Sequence, residues 1–337
     1  MLNATSVSCD NAASVSAPMK GLLASIVLAL ACMAGQALAQ QYPTRPVRVV
    51  VPFAPGGATD VIARLVGQKL MDTWGQPIVI DNRGGATGAI GSELVARAPA
   101  DGYTILMGTA STHSVAPAVN PKLNYKLEDY APASLVATFP NMLVVHPSVP
   151  AKTVPEFIAV LKANPGKYNY ASSGPGSSIH LAAELFKQMT GTEMAHVPYK
   201  GSGPAMIDLV AGRVQCMFDN MTTVWPYVQS GKLRALGVAG RERSPTAPDV
   251  PAIAETLRGY EANSWVGFFA PGGTPRAIVE KISADTRNAV HAREVAQKLL
   301  ELGAVPAGGT PEEFTRFVKE DLQRWREVAK RARITLQ

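Results

Sequence analysis

From Val47 onward, apolar and polar positions repeat one unit: a short apolar run, a turn rich in glycine and small hydroxyl residues, then a stretch with apolar positions three and four apart. Val47–Val51 reads as a strand, and Val61, Ile62, Leu65, Val66 and Leu70 then fall on one helical face. Residues 78–80 and 104–107 read as further strands. The first is followed by the glycine-rich stretch 84–91 and a helix over 92–97, the second by the polar turn 108–112. A second run of the same kind opens at 142–145. There Thr153 and Glu156 form a capping box, and the helix they start stops before Asn164-Pro165-Gly166. Strands over 168–171, 195–199, 214–218 and 233–238 follow. One intervening helix carries Leu181, Leu185, Phe186 and Met189 on a side, and another has Pro204 in its first turn and Gly212 at its end. Residues 265–269 bring the chain back toward its first half. A helix then runs from Pro275, and Thr310-Pro311-Glu312-Glu313 announces the last one. Strands alternating with helices predict an α/β fold of doubly wound sheets flanked by helices. The expected lobes are 40–141 plus 265–337 and 142–264, joined by two crossover strands. Two lobes so joined leave a cleft, the usual place for a small ligand, and the paired crossings form a hinge.

One phrase occurs twice: Phe53-Ala54-Pro55-Gly56-Gly57 and Phe269-Ala270-Pro271-Gly272-Gly273. Each copy follows an apolar run and precedes a helix, and so reads as a strand-to-helix turn at the carboxyl edge of a sheet, where ligands bind. Glycine lets the backbone approach a ligand, and the helix behind it favours an anion. A length of 337 residues suits two such lobes, and 47% hydrophobic with 17% charged residues describes a folded chain. The net charge is +6, yet the basic positions in 319–333 alternate with acids and apolar residues as on a solvated helix face, so no nucleic-acid partner is expected. Met19-Lys20, the apolar stretch 21–34 and Ala37-Leu38-Ala39 read as a signal peptide over 1–39 with its natural start at Met19 and cleavage near Ala39. Export to the periplasm follows. A lipoprotein anchor at Cys32 is the weaker alternative, because Ala29-Leu30-Ala31 is a poor lipobox. With Cys9 and Cys32 removed in the leader, Cys216 remains alone in an apolar strand and reads as a small buried hydrophobe.

The densest chemistry lies in Ser172-Ser173-Gly174-Pro175-Gly176-Ser177-Ser178. Hydroxyls and helix-start amides converge there, a setting for a carboxylate or phosphate oxygen, and the seven turn residues exceed what one helix cap requires. The first turn offers the bare backbone of Phe53, Ala54, Pro55, Gly56 and Gly57, with Thr59 or Asp60 placed to cap the helix. Thr109, Ser111 and Thr112 bring hydroxyls to the same crevice. Residues 84–91 lack the G-x-G-x-x-G spacing and no Walker motif occurs, so nucleotide binding has no support. The five histidines show no metal-ligand spacing, and neither a metal nor another cofactor is expected. No G-x-S-x-G elbow exists, which leaves a hydrolase or lyase using Ser177 and His180 as a minor alternative to a non-enzymatic binding protein. Asp219 either holds a ligand amine or a cleft backbone amide, or caps Asn220 to Thr223.

Several phrases in order, Pro52-Phe53-Ala54-Pro55-Gly56-Gly57-Ala58-Thr59-Asp60, Asp101-Gly102-Tyr103-Thr104, Asn169-Tyr170-Ala171-Ser172-Ser173-Gly174, His196-Val197-Pro198-Tyr199-Lys200-Gly201 and Gly309-Thr310-Pro311-Glu312-Glu313-Phe314, resemble the Bug receptors, the substrate-binding proteins of tripartite tricarboxylate transporters. The resemblance covers essentially the whole mature chain. It implies a two-lobed periplasmic binding protein of the type II kind, acting as a monomer and closing on a small organic acid. Large and small membrane permease subunits are the implied partners, or a sensor protein in their place. By the same resemblance one carboxylate is held, partly through ordered waters, by Phe53 to Gly57 on one side and Ser172, Ser173, Ser177 and Ser178 on the other; Gly176 of the serine-rich turn is a further candidate contact. Residues near Thr109 to His113, Lys200 to Gly203 and Asp219 set the rest of the ligand. Two departures stand out: Cys216 occupies a position that is often polar or small in the family, and Pro175 stiffens the serine-rich turn.

Overall fold

The computed structural model describes residues 42–332, so the expected leader, Cys9 and Cys32 lie outside the described residues. The first half of the fold begins with β1 (Val47–Val51), α1 (Ala58–Trp74), β2 (Ile78–Asn82), α2 (Ala89–Ala96) and β3 (Thr104–Thr109). A π-helical turn over Ser111–Val115 then leads into α3 (Ala116–Val119). The long β4 (Tyr130–Val145) carries the chain into the second half, which comprises α4 (Val154–Ala163), β5 (Asn169–Ser172), α5 (Ser178–Thr190), β6 (Ala195–Pro198), α6 (Ser202–Val210), β7 (Cys216–Asn220), α7 (Met221–Gln229) and β8 (Arg234–Val238). Return is through β9 (Asn263–Pro271), followed by α8 (Arg276–His291), α9 (Arg293–Glu301), β10 (Val305–Pro306) and α10 (Pro311–Ala332).

The valines of β1 are stiff at χ1 and suit a strand covered on both faces, and β1 runs parallel to β2 and β3. Likewise β5 is parallel to β6 and β7. Between these parallel sets stands β4, whose pairing partner changes midway. Tyr130 to Pro140 pair antiparallel with β9, whereas Asn141 to Val145 pair antiparallel with β7. A return path lies beside it: Ala239 N–H donates to Asn141 O at 2.7 Å, Asn141 N–H to Ala262 O at 3.2 Å, and Ala262 N–H to Ala239 O at 2.8 Å. The two crossings therefore touch at one level of the molecule.

Capping chemistry sets the helix boundaries. Thr153 accepts the Glu156 N–H, while the Glu156 carboxylate reaches Lys152 N–H at 2.7 Å, one residue before the position of a reciprocal box. The box ahead of α10 is complete, with Thr310 N–H on Glu313 and Glu313 N–H on the Thr310 hydroxyl. One end of α10 (Phe314, Val318) packs with Val50, Leu106 and Phe269, and the other (Trp325, Ala329) packs with Phe157, Phe186 and Phe218. This last helix, read from sequence as part of one lobe, is thus shared between two cores.

Strand direction corrects one expectation. Phe269 to Pro271 belong to β9, which runs antiparallel to β3 with Leu106 opposite Phe269 and Thr109 opposite Val266. The second copy of the repeated phrase consequently leaves the sheet at the edge opposite the carboxyl ends of β1 and β3. There its Gly272 N–H donates to Asp129 O at 2.8 Å. Identical residues make a ligand turn only where strand direction brings them to the right edge.

Candidate ligand site

The first turn is shaped by Asp60. Its carboxylate is buried and accepts from Gly56 N–H (3.1 Å), Arg64 Nε (3.1 Å) and Asn82 Nδ2 (3.0 Å), while Asn82 also donates to Phe53 O. Burial alone pushes the Asp60 carboxyl up, but these hydrogen bonds and the Arg64 charge outweigh it and hold the group below its usual range. Asp60 thus folds back on the turn, and the N-cap of α1 is Gly57, which has no side chain to cap with.

The serine-rich turn is held from beneath. Ser172 Oγ accepts Gly174 N–H at 3.1 Å and lies 2.6 Å from His196 Nε2. Gly176 N–H donates to His180 Nδ1 at 3.0 Å, and Ser177 Oγ caps α5 by accepting His180 N–H at 3.2 Å. Gly174 has φ +127°, and a Cβ on it would come within 2.7 Å of Thr87 Oγ1, so only glycine fits there. Ser173 and Ser178 are left facing the interior space.

These turns meet. Ala54 N–H donates to Lys200 O (3.2 Å), Ala58 N–H to Thr223 Oγ1 (3.0 Å), Ser178 N–H to Ser111 Oγ (3.0 Å) and Thr87 Oγ1 to Pro175 O (2.7 Å). They enclose a cavity of about 20 Å³, room for roughly one water molecule. Four helices begin on its wall, with Ala58 of α1, Ser178 of α5 and Ser202 of α6 in their first turns and Asn220 at the N-cap of α7. Each helix start carries partial positive charge and amides that its own helix does not use. No Lys, Arg or His side chain lines the cavity among the described residues. Asn220 Oδ1, also on this wall, is buried without a hydrogen-bond partner among the described residues.

Of the residues singled out from sequence, Phe53, Ala54, Gly57, Thr109, Ser111, Ser173 and Ser178 line this cavity. Pro55 and Gly56 stand at its exposed lip against Gly203, and Ser172, Gly176 and Ser177 form the frame beneath the turn. Lys200 contributes its carbonyl while its side chain is exposed. Asp219 is fully buried and accepts from Ser202 Oγ at 2.9 Å and Asn220 N–H at 2.7 Å, and burial pushes its carboxyl up to about 7 against those two bonds. Ser177 and His180 meet through a backbone N–H, and the imidazole Nδ1 is already bonded to Gly176, so they form a helix cap in place of a nucleophile and base. Thr59, Ile179 and Asp60 also line it, the Asp60 carboxylate being taken up by Gly56, Arg64 and Asn82, and so do Phe139, Ser264 and Val266, although nothing in the local sequence of these last three signals it. They sit where β4 and β9 pass between the halves. Ser202 and Asn220 were legible as neighbours of Lys200 and Asp219 once helix starts are counted. Among the described residues no cluster of His, Cys, Asp and Glu could hold a metal ion, and no helix is long and apolar enough to cross a membrane.

The family described as "Tripartite tricarboxylate transporter family receptor" matches residues 62–334. The chain is 39% identical to Protein BugT of Bordetella pertussis over 90% of this chain and 94% of that one. Among solved structures, a protein of R. palustris with adipate is 40% identical with a TM-score of 0.85, covering 87% of this chain and 99% of that chain. MatC of Rhodopseudomonas palustris, with bound malate, is 36% identical with a TM-score of 0.82, covering 85% and 99%. The fold is that of the two-lobed periplasmic binding proteins.

Proposed function

We propose a function on one premise: the chain belongs to the tripartite tricarboxylate transporter family of receptors, and is a solute-binding receptor. Its ligand is a small organic acid, held by one carboxylate in the cleft between the lobes. The observation that carries this reading is the convergence of four helix starts on a cavity without a side-chain cation. Such a wall attracts an anion through amides and hydroxyls alone. The N–H groups of Ala54, Ala58 and Ser178 now donate across the cavity to Lys200 O, Thr223 Oγ1 and Ser111 Oγ. When the lobes part, those donors become available to a carboxylate, which replaces the acceptors of the opposite lobe. Ser173 and Ser178 supply hydroxyls to the same group. The relatives solved with adipate and malate support the ligand class. Export with removal of the leader near Ala39 places the receptor in the periplasm, where the closed form is read by large and small permease subunits.

A thermal-shift panel of adipate, malate, other dicarboxylates, amino acids and aromatic acids tests the reading. An acid at about 100 times its Kd stabilises the protein by roughly 2.7 kcal/mol, and at least one acid is expected to do so while the matched amides and alcohols do not. A panel in which no acid raises the melting temperature defeats the proposal.

A further inference from the structure

The serine-rich turn rests on two histidines that do not line the cavity. His180, 9% exposed, stacks on His196 with ring centres 4.3 Å apart and planes 19° from parallel, and Tyr170 lies nearly parallel to both rings, 4.9 Å from His196 and 6.2 Å from His180. Each imidazole has one bond to the turn: His180 Nδ1 accepts Gly176 N–H, and His196 Nε2 meets Ser172 Oγ, which in turn accepts Gly174 N–H. An acceptor at Nδ1 requires a lone pair there, so His180 is the neutral tautomer with its proton on Nε2. A second proton would set an N–H against the Gly176 N–H at 3.0 Å, and two charged rings could not remain stacked.

We propose that His180 and His196 are positioning residues whose neutral, stacked state fixes the shape of the serine-rich turn, so that protonation in acid unlocks the turn. The ionic groups facing the pair are Glu184 and Lys187 of α5, ion-paired at 2.7 Å, with the Tyr170 hydroxyl of β5 donating to Glu184 at 2.5 Å. Glu184 favours a charged imidazole and Lys187 disfavours it. Burial outweighs both, lowering His180, and it lowers His196 to about 4 with help from His180. A positive charge beneath the turn would by itself favour an anion. The sign of the acid effect therefore separates a change of shape from a change of charge.

The first arm of the test uses the ligand-free protein and follows the Gly176 amide and the His180 ring by NMR from pH 7.5 downward. Both are expected to titrate with one midpoint below that of a free imidazole, and His180→Asn, which keeps an acceptor near the Nδ1 position and cannot be charged, is expected to abolish the Gly176 titration. A Gly176 amide that stays fixed while the ring titrates overturns the proposal. So does a His180 ring that shows no titration before the protein unfolds. The second arm rests on the carboxylate reading and measures adipate affinity at pH 7.5 and pH 4.5. Dividing the wild-type Kd by that of His180→Asn cancels the titration of the acid itself, and the ratio is expected to rise at least threefold in acid. A constant or falling ratio overturns the proposal. His196→Gln, which mimics Nε2 without charging, is expected to reduce the acid effect and stands in should His180→Asn not fold. If adipate does not bind the wild type at pH 7.5, the use of adipate has failed, and the ligand-free arm still decides the role of the histidines.

Discussion

At the residue scale the group with most at stake is Asp219, a carboxyl with no exposed surface. Two donors reach its Oδ1, and its Oδ2 has no partner among the described residues. No cation forms an ion pair with it among the described residues, so burial dominates and lifts its pKa to about 7. Between the unfolded carboxyl value and that point, the unfolded chain has released a proton that the folded chain still holds. Stability from this group is therefore full in acid and declines as pH rises toward 7. Asp219→Asn, which is neutral at every pH and still accepts both hydrogen bonds, is expected to gain relative to wild type as pH rises, by about 2–4 kcal/mol between pH 4.5 and pH 8. Urea melts of the two proteins at those pH values check this, and parallel pH profiles contradict it. Composition and spacing show that Asp219 follows an apolar strand. They do not show its burial, because the covering residue Ser202 comes from another element.

At the scale of elements, the site is built from helix beginnings, and their legibility varied with how local their causes are. Thr153 and Thr310 mark helix starts through contacts within four residues, and the sequence signals them directly. The long β4 was read only from 142 onward, because Pro132, Pro140 and polar positions break its apolar pattern. Its pairing with β9 supplies what the pattern lacks. The second copy of the repeated phrase misled for the complementary reason: strand direction is fixed by distant neighbours. Gly203 illustrates a close approach between elements. It is the second residue of α6, with no left-handed backbone to require glycine, yet a Cβ there would overlap the Pro55 carbonyl oxygen of the first turn. Gly203→Ala should leave α6 as stable or firmer by up to about 1 kcal/mol, since alanine is the better helix former. The overlap is relieved only if the turn and α6 move apart, so affinity for adipate should fall at least about tenfold, or 1.4 kcal/mol. Titration calorimetry and a ligand-free melt together check this. Unchanged affinity would mean that the two elements do not approach in the bound state.

For the whole molecule, the size of the cavity is the decisive quantity. An engineered cavity of about 150 Å³ admits benzene, whereas the space here is about 20 Å³, so an organic acid cannot enter without separation of the surrounding turns. How they separate follows from what ties the halves together. The two strand crossings are hydrogen-bonded to each other at Asn141, Ala239 and Ala262, and α10 is anchored in one core through Phe314 and in the other through Trp325. Trp265 Nε1, donating to Asp321 at 2.8 Å, fastens the middle of that helix to β9. These three links resist sliding, and the facing turns themselves are joined by five hydrogen bonds, the four already given and one between the Ser111 and Ser178 hydroxyls at 3.0 Å, each of modest net strength in water. On the proposed reading, opening is a rotation about the crossings, and an acid shifts the balance only through its greater affinity for the closed arrangement. Spin labels at the exposed positions Val79 and Ile207, one on β2 and the other on α6, report that rotation. Native Cys216 should not interfere, because burial raises its thiol pKa and removes it from reagents. The ligand-free protein should give a broad distance distribution with a long component, and saturating adipate should collapse it onto the shorter one. Gly203→Ala should retain the long component at the same adipate concentration. Identical distributions with and without adipate, in a protein that binds it, would show that ligand enters by a local movement of one turn and that the lobes do not rotate.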